Sequence, residues 1–276
     1  MPEGRDSVGI IAGGGRFPLI AADAVKKQGL RVVAVAHEGE TDPALTDRVD
    51  SITWVKLGQF GKLIKALKND HVSKALMAGT INKQRVFGKI RPDLKGIAFA
   101  SKLAIFHDDG ILRAAADELS REGIEIVSST TYLPELLAPS GCLTRRKPGK
   151  AEKEDIFFGW QVAKELGRLD VGQCVVVRRK TVLALEAIEG TNATILRGGA
   201  LAGEKAVVVK VSKPMQDLRF DVPSVGLETV KTMSEVKASI LALEAAKTLI
   251  FEKKEMIEYA DGSGISVISI DNVGDI

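Results

Sequence analysis

The feature that most constrains this sequence is how it opens. An apolar run, Val8 to Ala12, leads straight into Gly13-Gly14-Gly15; apolar residues then recur at helical spacing from Phe17 to Gln28, and a second apolar run follows from Arg31 to Ala36. Three glycines after a buried strand let the backbone turn sharply or approach another group closely. Pro18 suits the first turn of a helix, and Gly29 stands where a helix would end. Strand, glycine loop, helix and strand form the opening unit of a doubly wound parallel sheet. The alternation continues. Strands are expected at Ser51–Val55, Lys74–Ala78 and Ile124–Ser128, with helices at Gly58–Lys68, Asp93–Phe106 and Ile111–Arg121. The fold class expected is α/β, with a Rossmann-like nucleotide- or phosphate-binding domain over residues 1–132.

The glycine loop is only part of a dinucleotide fingerprint. Gly13 and Gly15 match its first two glycines, but Pro18 stands in place of the third. That argues against NAD(P) and favours a phosphate or nucleotide held by Gly13, Gly14, Gly15 and Arg16 at a helix N-terminus. Glu38, after the second strand, is a weak candidate for a ribose hydroxyl. Gly79-Thr80, closing the fourth strand, belongs to the same ligand-binding edge of the sheet. Further on, His107-Asp108-Asp109 precedes a helix; one aspartate can cap it and the other can meet a ligand or metal.

Composition then shifts. Residues 133–150 read as a linker with Pro134, Pro139, Pro148 and the basic run Arg145-Arg146-Lys147, either a solvated patch or a phosphate or headgroup contact. Residues 151–276 read as a separate α+β domain. It holds a helix over Asp155–Leu169, a hairpin of Cys174–Arg178 with Leu183–Ile188, a helix capped by Thr191 or Asn192, and a strand at Val207–Val211. Short strands flank Glu244 to Lys247, and a last helix and strand cover Glu252–Ala260 and Ile265–Ile270. The strand at Val207 runs into a loop that gathers Lys210, Lys213, Gln216, Asp217, Arg219 and Asp221. Cations there suit phosphate oxygens; carboxylates suit a metal or a water. The alternative is a connector carrying surface ion pairs, with Lys213 and Arg219 bridged to Asp217.

Global properties exclude several classes. The net charge of +3 and 5% aromatic residues give no footing for nucleic acid. Cys142 and Cys174 show no metal-binding spacing and are expected to be reduced thiols. No apolar run is long enough for a membrane span, and the polar start carries no signal-peptide core, so a cytoplasmic location is expected.

Several motifs together resemble a known family. GIIAGGGRFPLI (Gly9 to Ile20), AGTINK (Ala78 to Lys83), RPD (Arg91 to Asp93), HDDGILRAAADEL (His107 to Leu119), LTRRKP and DIFFG (Leu143 to Gly159), EAIEGTNATILRGG (Glu186 to Gly199) and VKVSKPMQDLRFDVPSVG (Val209 to Gly226) run in the family's order. They resemble the bacterial UDP-2,3-diacylglucosamine pyrophosphatases of the lipid A pathway, the type unrelated to calcineurin-like metallophosphoesterases. The resemblance implies Mg²⁺-dependent hydrolysis of the substrate's pyrophosphate, giving UMP and 2,3-diacylglucosamine 1-phosphate, with the lipid bound between two domains. It implies a homodimer, and transient contact with the inner face of the inner membrane fits the lipid substrate. By its RFDVP context the family's essential aspartate falls on Asp221. Asn192 stands where the family usually has Asp, and His107 where Gly is usual.

On this basis Asp221 is expected to bind metal or orient the attacking water, with Asp217 and Asp108 or Asp109 completing the acidic side. Lys213 and Arg219 would clamp phosphate oxygens, and Thr191, Asn192 and Gln216 would contact the substrate. Phe157, Phe158, Trp160 and Ile105 can line an acyl trough, or simply pack in the core. The rival readings are an NAD(P)- or nucleotide-sugar-dependent enzyme and a non-catalytic nucleotide- or lipid-binding regulator.

Overall fold

A computed structural model describes residues 6–81, 93, 95–96, 108–220 and 222–276. The chain forms two compact units, one of residues 1–134 with 217–220, the other of residues 135–216 with 221–276. Asp221, His107, Ile105 and most of the helix expected over Asp93–Phe106 lie outside the described residues, as do the side chains of Asp108 and Asp109.

The first unit holds a five-stranded sheet in the order β3-β2-β1-β4-β5. Its strands are β1 (Ser7–Ala12), β2 (Arg31–His37), β3 (Ser51–Val55), β4 (Lys74–Ala78) and β5 (Glu125–Ile126). Every pairing is parallel, with Ile10 opposite Ala34 on one side and Leu76 on the other. The near-continuous apolar character of β1, β2 and β4 is what a sheet covered on both faces requires. Helices α1 (Phe17–Lys27), α2 (Phe60–Asn69) and α3 (Asp108–Arg121) accompany it. One face buries Val33, Val35, Leu63, Leu67, Leu119 and Ile124, and Phe220 packs against that cluster. This apolar anchor explains why residues 217–220 belong with the first unit although the chain on either side belongs to the second.

The second unit is built on a six-stranded mixed sheet in the order β6-β13-β11-β9-β7-β8. The strands are β6 (Gly141–Cys142), β7 (Cys174–Arg178), β8 (Thr181–Leu185), β9 (Val207–Lys210), β11 (Ile240–Glu244) and β13 (Ser266–Ile270). A separate parallel pair joins β10 (Ser224–Val225) to β12 (Leu249–Ile250). The period-two alternation of a strand sorts the side chains to two faces. Val175, Val177, Val207 and Val209 pack with Ile156, Trp160 and Ala163 of α4 (Lys150–Arg168). Val176, Val208, Leu241 and Val267 face the other way, into a cluster with Ile195 of α5 (Thr191–Ala202), Met233 of α6 (Leu227–Glu235) and Met256 of α7 (Lys253–Gly262). The stretch expected to be a linker contributes β6, paired antiparallel with β13, and Lys150, the first residue of α4.

Candidate functional site

At the carboxyl edge of the first sheet, the loops after β1 and β4 meet where the strand order reverses, the usual place for a ligand in such folds. Here they are tied to each other. Gly13 N–H donates to Ala78 O at 2.8 Å, Gly14 N–H to Thr80 O at 2.7 Å, and Thr80 N–H returns to Gly14 O at 3.1 Å. A Cβ on Gly13 would stand 2.6 Å from Thr80 O, and one on Gly79 (φ +91°) 2.4 Å from Gly14 O. Close backbone approach within the protein therefore accounts for these glycines, and two of the three loop amides expected at a phosphate are already spent. Gly15 takes φ +82°, and exposed Arg16 occupies the N-cap of α1 without a side-chain cap, next to Pro18 in the first turn.

His37, which the sequence reading passed over in favour of exposed Glu38, closes β2 at this edge. Its Nδ1 lies 2.9 Å from Ala12 O, and because a carbonyl only accepts, Nδ1 carries the proton. Thr41 Oγ1 donates to the same carbonyl at 2.7 Å. Burial pushes the His37 pKa below the ordinary histidine value, opposed by the Ala12 carbonyl and Glu40. The helix expected from Ile111 begins three residues earlier, so Asp108 and Asp109 are its first residues and not caps before Ile111.

The segment 217–220 carries a preformed ion pair. Arg219 Nε and Nη2 donate to Asp217 Oδ1 and Oδ2 at 2.9 and 2.7 Å, a two-point pairing. Arg113 of α3 lies 3.8 Å from the same carboxylate. The Arg219 hydrogen bond holds the Asp217 carboxyl below its usual range, burial opposing. The Arg219 guanidinium also sits 4.8 Å from the Phe220 ring centre.

In the second unit, Lys213 Nζ pairs with Asp170 Oδ1 at 2.6 Å rather than with Asp217. Gln216 folds onto its own turn, its Oε1 accepting from Lys213 N–H at 2.9 Å and Ser212 Oγ at 3.1 Å. That turn rests on a buried carboxylate at the end of β11. Glu244 Oε2 accepts from Lys164 Nζ at 2.6 Å and Ser212 N–H at 2.8 Å, and Oε1 accepts from Lys247 Nζ at 2.9 Å. Burial pushes the Glu244 pKa up, but hydrogen bonds from Lys164 and Lys247 outweigh it and leave it below the ordinary value.

A second buried polar chain lies at the carboxyl end of β9. Lys210 Nζ donates to Thr191 Oγ1 at 3.0 Å and Ser224 O at 2.8 Å; Thr191 Oγ1 donates in turn to Glu186 Oε1 at 2.6 Å, and Gln173 N–H donates to Glu186 Oε2 at 3.1 Å. Lys210 and Glu186 are each only 7% exposed. Thr191 is therefore not the cap of α5: Gly190, at φ +82°, holds the N-cap position, and Asn192 is exposed on the first turn. Sequence reading named Lys210 and Thr191 but not their bond, and passed over Glu186 and Glu244. For Lys210 and Glu244 the available signal was a charge ending an otherwise apolar strand, VVVK and ILALE.

Of the basic run only Arg146 turns inward, its Nη2 meeting Glu152 Oε1 at 2.5 Å; Arg145 and Lys147 are exposed, although Arg145 N–H donates to Asp261 Oδ1 at 2.8 Å. Trp160 is core at 6% exposure, whereas Phe157 is 44% exposed beside an open groove that Phe158, Lys150, Lys153 and Val273 also line. Cys174 is fully buried, and burial raises its thiol pKa to about 12, so it is an inert thiol. Among the described residues no group of three or more His, Cys, Asp or Glu side chains could hold a metal ion. Asp217 is committed to Arg219, so the described side chains alone do not fit a Mg²⁺ site.

Models of two domains match nearly end to end: the LpxI N-terminal domain over residues 7–136 and the LpxI C-terminal domain over residues 139–268. The chain belongs to the LpxI family. A relative from Caulobacter vibrioides, a UDP-2,3-diacylglucosamine pyrophosphatase LpxI, is 32% identical over 275 residues, covering 96% of this chain and 97% of its own. Among solved structures, the biotin carboxylase subunit of pyruvate carboxylase aligns at 14% identity over 62% of this chain and 34% of its own, with a TM-score of 0.27. The biotin carboxylase domain of the Hydrogenobacter thermophilus 2-oxoglutarate carboxylase aligns at 12% identity over 65% of this chain and 36% of its own, also at 0.27. Neither likeness carries an argument. The LpxI match agrees with the family resemblance read from the motifs and with the two α/β units.

Proposed function

We propose that this LpxI-family chain hydrolyses the pyrophosphate bond of UDP-2,3-diacylglucosamine, releasing UMP and 2,3-diacylglucosamine 1-phosphate in lipid A biosynthesis, in the presence of Mg²⁺. The observation that carries the reading is the match of both LpxI domains, with 32% identity to a pyrophosphatase of that name along 96% of the chain. The protein is a hydrolase of a nucleotide-linked glycolipid.

Attack on a diphosphate needs a placed water and cations around the phosphate oxygens. Asp221 is assigned the water or the metal, with Asp108 and Asp109 as further acidic donors. Arg219 keeps its Nη1 group for a phosphate oxygen while Nε and Nη2 hold Asp217. Asp217 thereby acts as the group that orients Arg219, in place of the direct acidic role expected from sequence. Asn192 and the backbone N–H of Thr191 contact a phosphate at the start of α5, and Lys213 and Gln216 belong to the turn that follows β9. In this reading the protein works in the cytoplasm, as a homodimer, meeting its substrate at the membrane surface. Among the described residues no helix is long and apolar enough to cross a membrane.

The test is incubation with UDP-2,3-diacylglucosamine, with Mg²⁺ or with EDTA, followed by mass spectrometry. UMP appears only with the metal. Unchanged substrate in both arms sinks the hydrolase reading, and equal UMP in both removes the metal from it.

A further inference from the structure

The lysines around the turn after β9 are paired with carboxylates. Lys213 has Asp170, and Lys164 and Lys247 share Glu244. Lys210 is more deeply buried than these at 7% exposure, yet its two acceptors are neutral: the Thr191 hydroxyl and the Ser224 carbonyl. An ammonium has three N–H donors, so one has no acceptor among the described residues. Glu186 stands one hydroxyl away: Thr191 Oγ1 receives from Lys210 and donates to Glu186.

Burying an ammonium without a direct counter-ion costs stability. A fold that only needed to fill this volume would do better with an apolar side chain of similar size. The end of a buried valine strand, Val207 to Val209, is where such a side chain is expected. A buried ammonium that no described carboxylate touches directly is instead what a site can use for an anion that arrives later, since a fixed cation away from water loses nothing to reorganisation when charge develops beside it.

We propose that Lys210 is a positioning residue for the diphosphate: it holds the Thr191 hydroxyl directly, while Glu186 takes that hydroxyl's hydrogen, and it supplies positive potential to a phosphate oxygen at the start of α5. The role rests on the diphosphate-hydrolase reading and deepens it, because it assigns phosphate neutralisation to a buried lysine and not to Lys213, whose charge Asp170 already matches. Glu186 keeps Thr191 from turning its hydroxyl hydrogen elsewhere, so that the oxygen stays an acceptor for Lys210.

Two variants test this, Lys210→Met and the double variant Glu186→Gln/Lys210→Met, in which both buried charges are removed together. Turnover of UDP-2,3-diacylglucosamine and the thermal midpoint are measured side by side with wild type. The expected result is a loss of about a hundredfold or more in kcat, with the midpoint of the double variant equal to or above that of wild type. A merely structural lysine gives the reverse, a lower midpoint with turnover per folded molecule within a few-fold of wild type, and that overturns the inference. So does a double variant that is both inactive and markedly less stable, since its charges then serve the fold, or one that is stable and active. Wild-type turnover in the same assay keeps the two readings apart: active wild type with active variants defeats only the role of Lys210, and inactive wild type defeats the hydrolase reading itself.

Discussion

The two sheets end in opposite ways. At the carboxyl edge of the first, polar groups are spent on backbone: Ala12 O, Gly13 N–H, Gly14 N–H and Thr80 close on one another or on His37 and Thr41. At the carboxyl edge of the second, strands of valine, leucine and isoleucine end on charges, Lys210 and Glu244, both buried and both bonded to the segments that follow. Among the described residues, the backbone groups of the first edge close on one another and its charges stay at the surface; the second edge buries its charges. Costly polar burial marks a place where a fold gives up stability, and among the described residues the second edge carries that cost.

The largest effect that would sharpen this contrast is on activity. Asp221→Ala should abolish turnover of UDP-2,3-diacylglucosamine, a fall of about 10³-fold or more, with the thermal midpoint near that of wild type. Near-normal rates from that variant would take Asp221 out of the chemistry. Next comes stability at the charged edge. Glu244→Ala leaves Lys164 and Ser212 N–H without their buried acceptor, at a cost of about 3–5 kcal/mol in urea unfolding; a loss under 1 kcal/mol would show the network to be ornamental.

The pH dependence of that edge has a definite sign. Lys164 and Lys247 overcome burial and hold the folded pKa of Glu244 below its ordinary 4.5. Its ionised form therefore contributes stability that is complete above about pH 4.5 and disappears as pH falls through the folded pKa. Thermal midpoints of wild type and Glu244→Gln from pH 7 to 3 should converge on the acid side; a constant gap would contradict the ion pairing.

At the first edge, Gly13→Ala forces a Cβ to within 2.6 Å of Thr80 O and should cost about 1–3 kcal/mol of stability. A loop whose glycines served a ligand alone would instead lose substrate affinity with no change in the midpoint. The smallest effect concerns Cys174. With its thiol pKa raised to about 12, iodoacetamide at pH 8 should label Cys142 in the native protein and reach Cys174 only after denaturation. Rapid native labelling of Cys174 would mean that β7 opens readily.

Much of the architecture was legible before any coordinates. Val8–Ala12, the glycines and Phe17–Gln28 announced strand, turn and helix because period and punctuation are local properties, and the structure places β1 at Ser7–Ala12 and α1 at Phe17–Lys27. Short edge strands escaped notice. β6 is two residues of a proline-rich stretch and forms only because β13 offers it an edge. The site was legible as a set of residue types but not as pairs. Lys213 and Arg219 looked alike in sequence, four residues from Asp217 and two from it. The structure gave Asp217 to Arg219 and Asp170, far along the chain, to Lys213.

What the sequence determined alone was the order of strands and helices, the apolar faces and the family motifs, all of which depend on neighbours within a few positions. What only the tertiary structure decided was which charge meets which. Lys210 reaches Thr191, and Thr191 reaches Glu186, because β9, the start of α5 and the end of β8 converge; a hydrogen bond between residues 19 positions apart leaves no mark in local spacing. The same holds for Gly13 against Thr80, whose close approach no local spacing announces.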